Sequence, residues 1–191
     1  MNEMMSASER LIVVVGASGA GKDSVLRAWL DTLPAHARPA LARRTITRAA
    51  FDATEAHEPI DEAGFQAARA TGAFAFAWHA HGLRYGVRWQ QLDPLWRGRW
   101  VVMNGSRAHL GELRAGAPRV RVIEIVASRA NRRERLAARE REDARTAQGR
   151  LARELPAAGT ELVVANDGEL AAAVAELQRW WHGAAAPACG R

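Results

Sequence analysis

The chain has 191 residues, a formal charge of +6 and a pI near 11.0, which supports one sizeable α/β core with small inserted lobes and excludes two unrelated domains of ordinary size. The charge calls for an anionic partner. Because the basic residues are spread through folded-looking segments, without a polybasic tail or aromatic interleaving, that partner is predicted to be a small polyphosphate and not a nucleic acid.

Met1 to Glu9 reads as a loose leader. The apolar run that follows, Leu11 to Val15, is too short to cross a bilayer or form a secretory core, so a soluble cytoplasmic protein without a membrane partner is expected. Leu11 to Val15 is instead a buried strand, and it leads into Gly16, Ala17, Ser18, Gly19, Ala20, Gly21, Lys22, Asp23 and Ser24. Successive backbone N–H groups and a helix N-terminus converge there on phosphate oxygens, and the spacing is that of a P-loop, G-x-x-x-x-G-K. Lys22 is the single lysine among 27 basic residues. Its compact ammonium fits where a planar guanidinium would crowd the loop. A dinucleotide loop is excluded, since no G-x-G-x-x-G passes through positions 16, 19 and 21. The hydroxyl that usually follows the lysine is replaced by Asp23, with a hydroxyl only at Ser24. A carboxylate beside a polyphosphate implies an intervening cation, so Asp23 and Ser24 are the predicted magnesium ligands, with stabilisation of the helix N-terminus as the alternative for Asp23.

Val25, Leu26, Trp29, Leu30 and Leu33 recur at helical spacing up to Pro34. Leu41 to Thr47 reads as one short extended segment, Asp61 to Ala70 as a helix opened by Asp61 and closed by Gly72, and Phe74 to Trp78 with Leu83 to Val87 as two strands joined through Ala80, His81 and Gly82. Trp89 to Arg97 reads as helical. Positions 38–90 together form a predicted inserted lobe. Arg44 and Arg48 carry forked donors suited to an acceptor's phosphate. His79 and His81 alternate with alanine on one face of an extended chain; no third ligand supports a metal there, and polar substrate contacts are preferred. Tyr85 is the single tyrosine, and its hydroxyl is a candidate phosphate donor.

Alternation of strand and helix resumes with Trp100 to Met103, then Asn104-Gly-Ser, a helix over Ala108 to Leu113, and a strand over Val120 to Val126 interrupted by Arg121 and Glu124. Asn104, Arg107 and His109 follow a buried strand, where α/β sheets place ligand contacts. Many P-loop proteins end such a strand in aspartate; here Asn104 leaves metal binding to Asp23 and water. Arg129 to about Leu155 is helical but dominated by charge, a solvated face for most residues. Arg135, Arg139, Arg141 and Arg150 are the candidates for a closing lid over about 135–150, and cations brought in by closure stabilise a transferring phosphoryl group. Leu162 to Ala165 is a last strand, Asn166-Asp-Gly168 a loop placed to touch the nucleotide or to form a plain turn, and Leu170 to Trp181 a closing helix. The tail over 183–191 reads as loose, and its lone Cys189 forms no internal disulfide, which suits a reducing compartment.

Strands alternating with helices imply a parallel sheet covered on both faces, in one domain with a core over about 10–37 and 98–180. A switch GTPase is excluded because N-K-x-D needs a second lysine, and no protein-kinase H-R-D or D-F-G is present. What remains is a small-molecule kinase. If its acceptor is itself a phosphate, the nucleophile is already anionic and no general base is needed.

In this order, Gly16 to Ser24, Ile46-Thr-Arg48, Glu55-Ala-His57, Trp78 to Gly86, Asn104 to His109 and Asn166-Asp-Gly168 resemble the guanylate kinase-like branch of P-loop kinases, and within it the ribose 1,5-bisphosphate phosphokinases of phosphonate utilisation. The likeness runs from Leu11 to about Leu177, and Asp23 is a mark of that family where guanylate kinases carry serine. The resemblance implies transfer of the γ-phosphoryl of ATP, with magnesium, to the 1-phosphate of ribose 1,5-bisphosphate. It implies acceptor contacts at Arg48 and Tyr85 and a lid at Arg135, Arg139 and Arg141. Guanylate kinase, or another nucleoside monophosphate kinase, is the nearest rival. An acidic residue reads guanine in that family, where this chain has Ala77-Trp78-His79. A catalytically silent guanylate kinase-like module is the alternative of another class, and the oligomeric state is left open, a homodimer included.

Overall fold

The computed structural model describes residues 2–48, 57–140 and 159–185, with side chains left aside at 2, 3, 5 and 138–140. Five parallel strands form the main sheet in the order β2-β7-β1-β8-β9, where β1 is Leu11–Val15, β2 Ala40–Leu41, β7 Val101–Asn104, β8 Arg121–Val126 and β9 Leu162–Ala165. β1 lies at the centre, Val14 opposite Asn104 on one side and Val15 opposite Glu124 on the other. Every residue of β1 is buried, and its side chains alternate between two cores, as a strand covered on both faces requires. Ile12 and Val14 face a core shared with helices α2 (Lys22–Thr32) and α7 (Leu170–Ala185). There Trp181 meets Trp29 and Trp100 edge-on, with ring centroids 5.6 and 5.1 Å apart.

Leu11, Val13 and Val15 face the other core, which continues without a break into a second sheet through Ile46, Trp78, Tyr85 and Val87. That sheet runs β4-β3-β6-β5, with β3 Thr45–Ile46, β4 Glu58–Pro59, β5 Phe74–Ala80 and β6 Leu83–Arg88. β5 and β6 form a hairpin whose two turn residues, His81 (φ 52°) and Gly82 (φ 73°), both lie in the left-handed region, as a tight right-twisting hairpin demands. Helix α3 (Glu62–Ala70) precedes it, and Asp61 caps α3 by accepting from the Gly64 N–H at 2.7 Å. A 3-10 turn over Trp89–Leu92 and the short α4 (Asp93–Trp96) lead back to β7; another 3-10 turn and α5 (Leu110–Gly116) follow it, and α6 (Arg129–Glu140) follows β8.

Four expectations need correction. The N-terminal segment is not loose: α1 (Asn2–Ala7) and a 3-10 turn over Ser8–Arg10 pack against the core, with Ser8 buried and its Oγ accepting from the Arg119 N–H. Leu41 to Thr47 is not one strand, because Ala40–Leu41 pair with β7 while Thr45–Ile46 pair with β6, and the chain changes sheets at 42–44. The expected loose tail starts late, since α7 continues to Ala185. His81 does not share an extended face with His79; it is the turn residue, and both imidazoles are exposed. Residues 49–56, Arg141, most of the expected lid and Cys189 lie outside the described residues.

Candidate active site

The C-terminal end of β1 opens into the glycine loop, and a side chain is excluded at Gly16, Gly19 and Gly21. Gly16 (φ 151°) turns the chain where a Cβ would overlap the Ile125 carbonyl oxygen. Gly21 (φ 84°) is the N-cap of α2, where a Cβ would overlap the Asn166 side-chain amide. α2 then begins with Lys22, so the loop's N–H groups and the positive end of an eleven-residue helix share one place. Lys22 Nζ donates to the carbonyls of Gly16 (3.0 Å) and Ala17 (3.2 Å), which folds the lysine back over the loop.

The loop is fastened from behind. Asn166, buried at the end of β9, donates through Nδ2 to the Ala20 carbonyl at 2.8 Å, and its own N–H donates to Val126 at 2.8 Å. Arg135 spans the same seam, reaching the carbonyls of Ala20 (3.3 Å) and Asn166 (2.8 Å). Arg132, expected on the solvated face of α6, is buried, and its backbone packs beneath Gly19. Asp167 accepts from the Ser128 N–H at 2.6 Å and from Asn131 Nδ2 at 2.9 Å, joining the β9 loop to the start of α6. The Ser128 N–H, ahead of the other donors, holds the Asp167 carboxyl below the usual range.

Beneath the loop two further pairs form. Asn104, buried at the end of β7, donates through Nδ2 to Asp23 Oδ1. Glu124 in β8 is completely buried (0% exposed) and pairs with Arg107 Nη1 at 3.0 Å. Sequence reasoning noted Glu124 only as a break in polarity, yet a charged residue inside a strand of Val and Ile was the available signal.

The predicted acceptor residues lie on the second sheet. Tyr85 is buried and stacks on Trp78 (5.4 Å between centroids, 7° between planes), and the Arg44 guanidinium sits 5.2 Å over the Tyr85 ring. Arg48 is half-buried just past β3. Arg84 pairs with Glu62, while Arg88 grips Glu58 through two nitrogens, 2.7 Å at the shortest. The Arg88 contact is the main cause that lowers the Glu58 carboxyl's pKa below its ordinary value. Between β5 and the turn and helix that follow β7 lies a cavity of about 210 Å³. Its walls are the β5 residues Ala75 to Trp78 on one side and Gly105, Ser106, His109 and Glu112 on the other. Ser106 and Glu112 were not foreseen as site residues. Among the described residues no cluster of three or more His, Cys, Asp or Glu could hold a metal, so the His79/His81 pair has no supporting ligand set.

A central parallel strand feeding a glycine loop and lysine, with a second sheet sharing its core, defines the guanylate kinase-like P-loop fold. The crystal structure of guanylate kinase from Anaplasma phagocytophilum superposes with a TM-score of 0.67 at 16% identity, over 94% of this chain and 88% of that one, which shows the shared fold. No protein-family model matches the chain. It is 37% identical over 174 residues to the ribose 1,5-bisphosphate phosphokinase PhnN of Brucella melitensis, covering 90% of this chain and 91% of that protein. It is 42% identical over 180 residues to the PhnN of Laribacter hongkongensis and 43% identical over 143 residues to the bifunctional ribose 1,5-bisphosphokinase-thymidine phosphorylase of Azorhizobium caulinodans. Of those longer proteins it spans 43% and 21%, against 93% and 75% of its own length. The chain belongs to the ribose 1,5-bisphosphate phosphokinase family.

Proposed function

We propose that the protein transfers the γ-phosphoryl group of ATP to the 1-phosphate of ribose 1,5-bisphosphate, giving 5-phosphoribosyl 1-diphosphate and ADP. One observation carries the reading beyond family membership: the cavity starts one residue past Asn104, whose amide touches the P-loop acid, so donor and acceptor sites adjoin. Its β5 wall supplies only Ala75, Phe76, Ala77 and Trp78, with no carboxylate to read a guanine edge. A sugar's C–H face suits those apolar groups, and its hydroxyls suit Ser106, His109 and Glu112.

In this reading the N–H groups over Gly16 to Gly21 and the Lys22 ammonium hold the transferring phosphates, with Asn166 and Arg135 keeping the loop in shape. Arg44, Arg48 and Tyr85 lie outside the cavity lining and are assigned to the acceptor's phosphate reaching past it along the second sheet, with His79 and His81 at the sheet's exposed edge and Asn104 and Arg107 at the junction. Arg139 and Arg141, further along from Arg135, supply the lid cations. The donor set beside the loop is one of hard oxygens: the Asp23 carboxylate, the Ser24 hydroxyl and the Asn104 carbonyl oxygen, which is buried without a hydrogen-bond partner. That set fits magnesium, which when bound neutralises charge developing between the phosphates. The acceptor phosphate is already an anion, so no side chain has to remove a proton; the protein's work is positioning and charge stabilisation. An ATP donor suits a cytoplasmic enzyme, and a sugar bisphosphate acceptor makes it one that acts on small molecules.

Glu112 favours one rival, because a carboxylate in the cavity can accept from the N1–H and N2–H of guanine. An ADP-release assay with ATP and magnesium over ribose 1,5-bisphosphate, GMP, dGMP and AMP separates the two. Turnover with the sugar bisphosphate and none with the nucleotides is expected. The reverse pattern sinks the proposal in favour of a nucleoside monophosphate kinase, and ATP binding without any turnover favours a silent binding module.

A further inference from the structure

P-loop proteins commonly hold magnesium with a hydroxyl directly after the loop lysine and a carboxylate ending a Walker-B strand. In this chain both residue types are exchanged. Asp23 follows Lys22, and Asn104 ends β7, the strand paired with β1. The two exchanged residues touch, Asn104 Nδ2 donating to Asp23 Oδ1 across 81 residues of sequence.

The contact makes each replacement depend on the other. An ionised carboxylate only accepts, so Asp23 turns the Asn104 amide donor towards itself and the Asn104 carbonyl oxygen away from it. That oxygen is buried and has no hydrogen-bond partner, an arrangement that is costly unless something of positive character meets it. Aspartate at 104 would set two like charges in contact, and serine at 23 would remove the acceptor that orients the amide. Of the other described acids at this end of the sheet, Glu124 is paired with Arg107 and Asp167 is held by the Ser128 N–H and Asn131, and that leaves Asp23 to present negative charge at the loop.

We propose that in this chain the magnesium-holding carboxylate has moved from the strand end to the loop, and that Asn104 is the positioning residue that keeps Asp23 aimed. This rests on the reading of the loop as an ATP site. The test is ATP binding by calorimetry, in magnesium and in EDTA, for the wild type, Asp23→Asn, Asn104→Leu, Asn104→Asp and Asp23→Ser/Asn104→Asp. Magnesium should tighten ATP binding by the wild type. Asp23→Asn and Asn104→Leu, which preserve shape, should each lose about 10-fold to 100-fold of that tightening, and Asp23→Asn, relieved of its charge beside the phosphates, should bind ATP in EDTA more tightly than the wild type. Asn104→Asp should lose it too, and the double variant should regain most of it with the acid back at the strand end. Magnesium tightening that survives in Asp23→Asn, or a double variant no better than Asn104→Asp alone, overturns the exchange even if ATP binds. Should the aspartate-104 variants fail to fold, by circular dichroism, the two shape-preserving variants decide it. Failure of the wild type to bind ATP in either condition would instead remove the nucleotide reading and the exchange together.

Discussion

The loop end of the main sheet and the second sheet are built by different physics. At the loop, the side chains of Lys22, Asn166 and Arg135 bond to backbone carbonyls, so one conformation is fixed from several directions. In the second sheet, side chains bond to side chains: Arg88 to Glu58, Thr45 to Glu58 at 2.9 Å, Arg84 to Glu62, and Arg44 over Tyr85. A backbone cradle suits a phosphate chain common to all nucleotide donors. Side-chain pairs can be exchanged one at a time, which lets this region vary while the loop stays fixed.

The largest break should come beneath the loop. Glu124→Ala leaves the half-hidden Arg107 cation without its buried partner and should cost about 3–5 kcal/mol of stability, read as a shift in the denaturant midpoint. A loss below 1 kcal/mol would mean that the pair does not tie β8 to the β7 loop. Asn166→Ala comes next. It strips one donor from the Ala20 carbonyl and should cost about 1–3 kcal/mol, with ATP affinity falling while the near-ultraviolet signal of the second sheet stays constant. If that signal changed equally, the two regions would not be separable.

The smallest effect sharpens the comparison from the other side. Arg88 lowers the Glu58 pKa, so the pair's stabilisation is fully present above the ordinary glutamate range and is lost as pH falls through the lowered folded-state value. The pair is partly exposed, at 26% and 30% of the two side chains, so roughly 0.5–1 kcal/mol is at stake. Acid titration followed by thermal melting should show this step in the wild type and not in Glu58→Gln. A step of the same size in the variant would assign it elsewhere, Glu62 and Asp167 also having lowered values.

The same division decides what could be read from the sequence. The run Leu11 to Val15, the glycine spacing and Lys22 are local signals, and the strand, loop and helix stand where they were expected. Asp61 as a cap and the hairpin through His81 and Gly82 were legible for the same reason. Leu41 to Thr47 was misread because extended backbone looks alike whichever sheet receives it. The partners that separate Ala40–Leu41 from Thr45–Ile46 lie on β7 and β6, tens of residues away. The packed N-terminal segment was missed because so short a segment carries little periodicity, and its polar anchors, the Ser8 hydroxyl and Glu9, reach residues 119 and 121. Asn104 was seen as a missing aspartate, but its bond to Asp23 belongs to the fold and not to either motif alone.

The tryptophan packing gives each region its own chromophore. Trp29, Trp100 and Trp181 lock edge-on behind the main sheet, on and beside the helix that Lys22 begins, whereas Trp78 stacks flat on Tyr85 in the second sheet. Exciton coupling in the near ultraviolet differs for edge-on and stacked rings. The molecule therefore carries two internal optical gauges, and Trp78→Phe silences one without touching the other.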